Sequence, residues 1–303
     1  MNVRLGLLLP PAALLAAAVG SSAFVAAGVA QEPVAPPTSE VVLSSEVKWG
    51  ALNPARGPQG PRAGDLWGDR TGKGASGFLV QFADGFASPP HIHNITYRGV
   101  VIRGFLHNDD PGAKPMWMPA GSFWTQPVGE VHVTAANGGL ALAYVEIDRG
   151  PYLVQPSEDA FDDGERPVNV DASNVVWLDA SAVTAMAGPV TADSPDGAKV
   201  AYLWGAPQSE RPSGSFVKLP AGFRGAIRSA GPSCRAVVVE GRVERDTAGD
   251  DDAQRLEPGA YFGSTGAATH HLSCDDETGC TLYLRSVGRF EIVPAQPAAT
   301  PPG

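Results

Sequence analysis

Basic residues are in short supply in this chain. Only 22 Lys and Arg stand against 32 Asp and Glu, a formal charge of −10. A phosphate backbone demands a basic face, so nucleic acid and anionic membrane are excluded as partners. No apolar stretch of membrane length follows residue 29, so nothing past the amino terminus reads as a membrane span. Cysteine is nearly absent, with Cys234, Cys274 and Cys280 alone. In an exported chain Cys274 and Cys280 would close a small disulfide loop and leave Cys234 odd, although spacing does not fix the connectivity. Long uninterrupted segments are missing too, because 36 Gly and 28 Pro make up about a fifth of the residues. That density of breakers argues against a helical bundle or coiled coil and suits short strands joined by tight turns. What is plentiful is apolar surface. The 303 residues are 43% hydrophobic, enough for a real core and for two domains of ordinary size.

The amino terminus bears on the compartment. Residues 5–29 carry no charge, follow Arg4, and end with Gly28 and Ala30 at the −3 and −1 positions of a cut before Gln31. This pattern predicts a signal peptide over residues 1–30 and a periplasmic or secreted protein. An uncleaved amino-terminal membrane anchor is the alternative. No Cys follows the segment, so a lipoprotein anchor is not expected. A Pro-rich linker occupies residues 31–39.

An internal repeat comes next. Leu66-Trp67-Gly68 recurs as Leu203-Trp204-Gly205, an offset of 137. Ser76-Gly77, Gly85-Phe86 and Gly104 recur at the same offset, and Gly121 and His132 recur at 138. A near-constant offset over so many matches predicts a duplication. It places a first domain at 40–168, a second at 169–292 and a Pro/Ala-rich tail at 293–303. The apolar runs Gly77–Phe82, Thr96–Phe105, Leu140–Ile147, Val217–Leu219, Ala236–Glu240 and Thr281–Val287 read as strands. Asp179–Met186 is the one stretch that reads as helix.

The chemistry concentrates in the first copy. Gly85 is followed at fixed intervals by His91, His93, Tyr97 and Gly104, and Gly121 by Pro127, Gly129 and His132. Side chains alternate along a strand, so His91 and His93 share a face, and Tyr97 has the same parity. Pro127 and Gly129 form a turn that returns a neighbouring strand with His132 opposite the pair. Three neutral imidazoles meeting at one point make a site for one divalent transition metal, such as zinc, iron or manganese.

These two runs resemble the paired signature motifs of the cupin superfamily. The match is complete except that Tyr97 stands where cupins usually carry a glutamate ligand. The resemblance implies an all-β chain of two tandem jelly-roll β-barrels. It is similar to two-domain cupins related to the zinc-binding cupin of anti-sigma factors. With the carboxylate gone, Gln126 is the candidate for a neutral fourth ligand, and Tyr97 and Gln126 are the candidate catalytic groups that orient substrate or bound water. Trp117, Phe123 and Trp124 are the expected pocket wall. The run His107-Asn108-Asp109-Asp110 reads as a solvated turn.

At the repeat offset, His91, His93 and Tyr97 map to Arg228, Ala230 and Cys234, and only His132 keeps a counterpart, His270. The second copy is therefore expected to be metal-free, with a structural or interface-forming role, and a homodimer is a separate expectation. Two function classes remain open. One is a metal-dependent oxygenase or lyase acting on a small carbonyl or phenolic compound. The other is a non-enzymatic zinc-binding sensor of a small-molecule ligand.

Overall fold

The computed structural model describes residues 38–179, 197–207, 209–246, 253–275 and 277–295. The expected signal peptide and most of the linker, the tail and the helix at Asp179–Met186 lie outside these residues. The described chain is built almost wholly of antiparallel strands.

All six expected strand runs are strands. After Gly50–Ala51 and Arg62–Trp67, the half that carries the three histidines is formed by Ser76–Phe82, His91–His93, Tyr97–Asp109, Phe123–Gln126 and the long Val133–Ile147. Tyr97–Asp109 pairs on one side with Phe123–Gln126 and on the other with Val133–Ile147, in a seven-stranded sheet. His91–His93 lies apart from that sheet, paired with Val154–Pro156 and bridged to His132. The carboxy-terminal half has a six-stranded sheet opposed by a five-stranded one.

The apolar runs are nearly continuous because their strands are buried on both faces. Phe78 and Val80 face a core inside the amino-terminal half, while Leu79 between them faces a second core shared with Phe216, Tyr261 and Tyr283. Ala143 and Val145 alternate in the same way with Leu142 and Tyr144. A third core, around Phe262 and Leu284, fills the carboxy-terminal half. Truncating a side chain as enclosed as Leu79 or Phe216 costs about 2–5 kcal/mol.

The two halves also exchange strands. Thr38–Val42 pairs with Tyr261–Thr265, and Val168–Val170 pairs with Phe123–Gln126. The two acceptor strands stand at the 138 offset and the two donors at 128, so the exchange is reciprocal.

A buried polar network spans the shared core. Trp67 Nε1 donates to the Tyr144 hydroxyl at 3.0 Å, and Trp204 Nε1 to the Tyr283 hydroxyl at 2.8 Å. Both phenols donate to Glu146, at 3.0 and 2.8 Å, and Arg285 reaches the same carboxylate at 3.0 Å. Arg98 stacks 3.7 Å from the centre of the Trp204 ring, and Arg235 lies 4.4 Å from that of Trp67. Each half thus covers the other's tryptophan with an arginine.

Cys274 and Cys280 are disulfide-bonded, and Cys234 is free and buried. One expectation is corrected here. His107 and Asn108 are buried, not part of a solvated turn. The strand from Tyr97 continues through them to Asp109, against Val133–Ala136.

Candidate metal centre

His91 and His93 lie on one short strand with one residue between them, so both rings project to the same side. Gly129, at φ 74°, lets the Pro127–Gly129 turn double back. His132 then meets His91 through two backbone hydrogen bonds of 3.1 and 3.0 Å. Ring centres of His91 and His132 are 4.3 Å apart, and His93 lies 5.1 and 5.2 Å from them. One nitrogen from each of the three lies within 4.8 Å of the others. Among the described residues this is the one group of three or more His, Cys, Asp or Glu side chains so arranged.

The proton positions follow from the partners. Nδ1 of His91 faces the Pro89 carbonyl at 3.0 Å, that of His93 the Leu153 carbonyl at 2.9 Å, and that of His132 the Glu130 carbonyl at 3.2 Å. A carbonyl oxygen only accepts, so each Nδ1 carries the hydrogen and each Nε2 keeps its lone pair. Burial holds all three rings neutral. It lowers His91, lowers His93 well below the ordinary 6.5, and brings His132 down to about 3. Three neutral imidazoles with Nδ1 facing carbonyls and an unprotonated Nε2 fit a divalent transition metal, zinc and iron included.

Two phenols flank the lone pairs. The Tyr97 hydroxyl is 3.3 Å from Nε2 of His132, and the Tyr152 hydroxyl 3.3 Å from Nε2 of His93. Desolvation raises both phenols, so both are neutral at pH 7. The hydroxyl of Tyr97 donates to Asn108 Oδ1 at 3.0 Å, which Thr134 also serves at 2.8 Å. Asn108 Nδ2 donates to Gln126 Oε1 at 2.9 Å, and Gln126 Nε2 to the Glu130 carbonyl at 3.3 Å. That carbonyl is the one His132 uses, so Tyr97, Asn108, Gln126, Glu130 and His132 form a closed ring of polar contacts. Both ends of the Gln126 amide are engaged in it.

His91 and His93 border a cavity of about 50 Å³ with a largely apolar and aromatic wall, including Val80, Phe82, Trp124, Val145 and Tyr152. Trp124 lies flat over Gly99 of the neighbouring strand, in space that a Cβ would occupy. The other two residues expected in the pocket are elsewhere. Phe123 has the opposite parity to Trp124 and enters the core shared by the halves. Trp117 stands 38% exposed beside His107. Residues that the sequence reading missed are Tyr152, Asn108 and Thr134.

The second copy also differs from its alignment. His91 bridges His132, whereas His270 pairs with Ile227. The true counterparts of His91 and His93 are therefore Ile227 and Ser229, both buried, while Arg228 and Ala230 are exposed. A one-residue slip moves every side chain to the other face. His270 Nε2 bonds Ser264 at 3.1 Å, and no three-ligand set forms there among the described residues.

The family described as a domain of unknown function, DUF4437, matches residues 40–293. No curated protein matches the sequence at a significant level. Among solved structures, a candidate dioxygenase from Nostoc punctiforme is similar, with a TM-score of 0.59 at 14% identity, over 86% of this chain and 88% of that one. The salicylate 1,2-dioxygenase of Pseudoaminobacter salicylatoxidans, solved with gentisate, has a TM-score of 0.53 at 17% identity, over 84% and 85% of the two chains. The oxalate decarboxylase of Lactobacillus farciminis, solved with formate, has a TM-score of 0.53 at 11% identity, over 83% and 88%. At such identities the likeness is one of fold, and the fold is the cupin jelly roll.

Proposed function

This chain belongs to the DUF4437 family of domains of unknown function, and we propose that it is an exported two-copy cupin with one transition-metal centre per chain. We read it as an oxygenase or lyase of a small carbonyl or phenolic compound. The observation that carries this reading is the convergence of three buried imidazoles, each with its Nδ1 facing a backbone carbonyl. Side chains pinned in this way are oriented before a ligand arrives. The dioxygenase and decarboxylase neighbours support metal-dependent chemistry in this fold. The repeat and the reciprocal strand exchange support the two-copy reading, and the charge-free segment at residues 5–29 supports export.

A divalent metal supplies Lewis acidity, polarising the oxygens of a bound substrate. His91, His93 and His132 would hold it. The chain's own part is to line, orient and donate. Val80, Phe82 and Val145 give the cavity an apolar wall. Once the lone pair of His132 is occupied, Tyr97 has its one proton for Asn108 or for a ligand oxygen. Tyr152 offers a second phenolic donor beside His93. Gln126 and Thr134 fix the amide of Asn108, which fixes Tyr97.

A zinc-binding sensor is the second reading. It is favoured by the absence of any Asp or Glu from the cavity wall among the described residues, which leaves no carboxylate base beside the ligand. Metal analysis of protein from its own compartment, followed by oxygen-uptake and product assays on small oxo acids and phenols, tests both. One metal per chain is expected, lost in His132→Ala and retained in His270→Ala. Two metals per chain, or none, would overturn the assignment. Metal with no turnover of any compound tried favours the sensor.

A further inference from the structure

The cavity beside the histidines has one permanently charged residue in its wall, Arg56, from the short turn Pro54–Gln59. The turn is built to hold its place. Asn53 caps it through the Ala55 amide at 3.0 Å, and Leu52 and Pro61 close its base with a backbone hydrogen bond of 2.8 Å. Arg56 is partly buried, yet no ion pair among the described residues includes it. A guanidinium at an apolar wall without a carboxylate partner is costly, and a bound anion relieves that cost.

Arg56 and Phe86 also line an outer hollow of about 420 Å³ that adjoins the inner cavity. Asp84, the one acid of that hollow, accepts from the Gly139 amide at 3.1 Å. The guanidinium stands where the two spaces meet, between solvent and the histidines, and Asp84 forms no ion pair with it. The inner cavity, about 50 Å³, is roughly a third of the volume that admits a benzene ring. Only a few atoms of a ligand enter it, and the body of anything larger stays in the outer hollow.

We propose that Arg56 recognises the carboxylate of a short 2-oxo or 2-hydroxy acid, whose second oxygen extends to the histidine centre. This rests on the reading of that centre as a metal site and adds the substrate class. The carboxylate forms a forked pair with the guanidinium in a largely dry wall, where such pairs are strong. The oxygen on the adjacent carbon points inward, toward the Nε2 atoms and the two phenols. Arg56 selects the acid and the histidines select the second oxygen.

The test uses full-length protein loaded with zinc, with metal content measured on every sample. Lactate and its uncharged isostere lactamide are titrated by calorimetry into wild type, Arg56→Gln and Arg56→Lys. Wild type is expected to bind lactate at least tenfold more tightly than lactamide. Arg56→Gln should erase that preference with zinc content unchanged, and Arg56→Lys should keep part of it. Equal binding of the two probes, or no lactate binding, by zinc-loaded wild type overturns the proposal and leaves the metal reading standing. So does an Arg56→Gln variant that keeps the preference. Wild type that holds no zinc sinks the metal reading alone, and the lactate-to-lactamide ratio still judges Arg56.

Discussion

Replacing Glu146 with glutamine tests what joins the two halves of the fold. Glu146 is 0% exposed and accepts from Tyr144, Tyr283 and Arg285, with Trp67 and Trp204 holding the two phenols from behind. Glutamine has the same shape but no charge, and its NH2 would meet a group that now donates. Removing one partner of a buried ion pair costs about 3–5 kcal/mol, because the remaining charge stays buried. Arg285 keeps Asp148 at 2.6 Å, a carboxylate 46% exposed, so the lower end of that range applies. About 3 kcal/mol lowers the melting temperature of a domain this size by roughly 6–12 °C. Val145 lines the cavity beside His91 and His93, whereas Glu146 points to the opposite face. Zinc stoichiometry should therefore be unchanged in Glu146→Gln. Denaturant unfolding and calorimetry, with metal analysis in parallel, decide the matter. A loss under about 1 kcal/mol would refute the idea that this pair anchors the shared core.

Two further predictions concern the centre itself. Metal-free protein should lose stability on acidification, because the folded pKa of His132, about 3, lies below its ordinary 6.5. The unfolded chain takes the proton first as pH falls, so the stability is whole above 6.5 and drains between there and about 3. From pH 7 to 5 His132 alone accounts for about 2 kcal/mol. Urea unfolding of wild type and His132→Gln at both pH values checks this, and identical pH dependence in the two would contradict it. Tyr97→Phe should hold metal affinity within roughly tenfold while any turnover falls much further, since the lost group touches a ligand oxygen. Tyr97→Glu should tighten metal binding. Competition titration with a zinc chelator reads both, and loss of metal in Tyr97→Phe would make Tyr97 a direct ligand.

The histidines were legible because two short-range rules place them. Alternation puts His91 and His93 on one face, and a Pro-Gly turn returns His132 to them. Parity carried no further than the next irregularity. The strand from Tyr97 shifts register twice, between Val101 and Phe105, so Asn108 faces Tyr97 at an odd separation that alternation forbids. Tyr152 reaches His93 from 59 residues away through a loop with no motif of its own. Phe123 and Trp124 differ by one position and enter different cores. From the sequence both are simply aromatic. The seven- and six-stranded sheets are apolar on both sides, so nothing in the composition of a run tells which face belongs to the cavity.

The second copy makes the same point about register and adds one about packing. The offset is 138 at His270, but the strand opposite it pairs at 136, which brings Ile227 and Ser229 inward and turns Arg228 out. Arg228 therefore puts no charge at the position equivalent to His91. Ile227 joins Phe223, Phe262 and Phe290 in a filled core, with the Phe262 ring 5.1 Å from that of His270. In the first half a cavity stays open beside Tyr97, Asn108 and Thr134, which Gln126 supports from behind through the Asn108 amide. Close-packed interiors leave few voids, so an open cavity beside three oriented imidazoles sets the first half apart from an ordinary core. The two halves then divide the work. One keeps an open, largely apolar cavity beside its histidines at some cost in packing. The other, densely packed, supplies Tyr283 and Arg285 to the shared core and lends its leading strand, Val168–Val170, to the sheet that carries Tyr97.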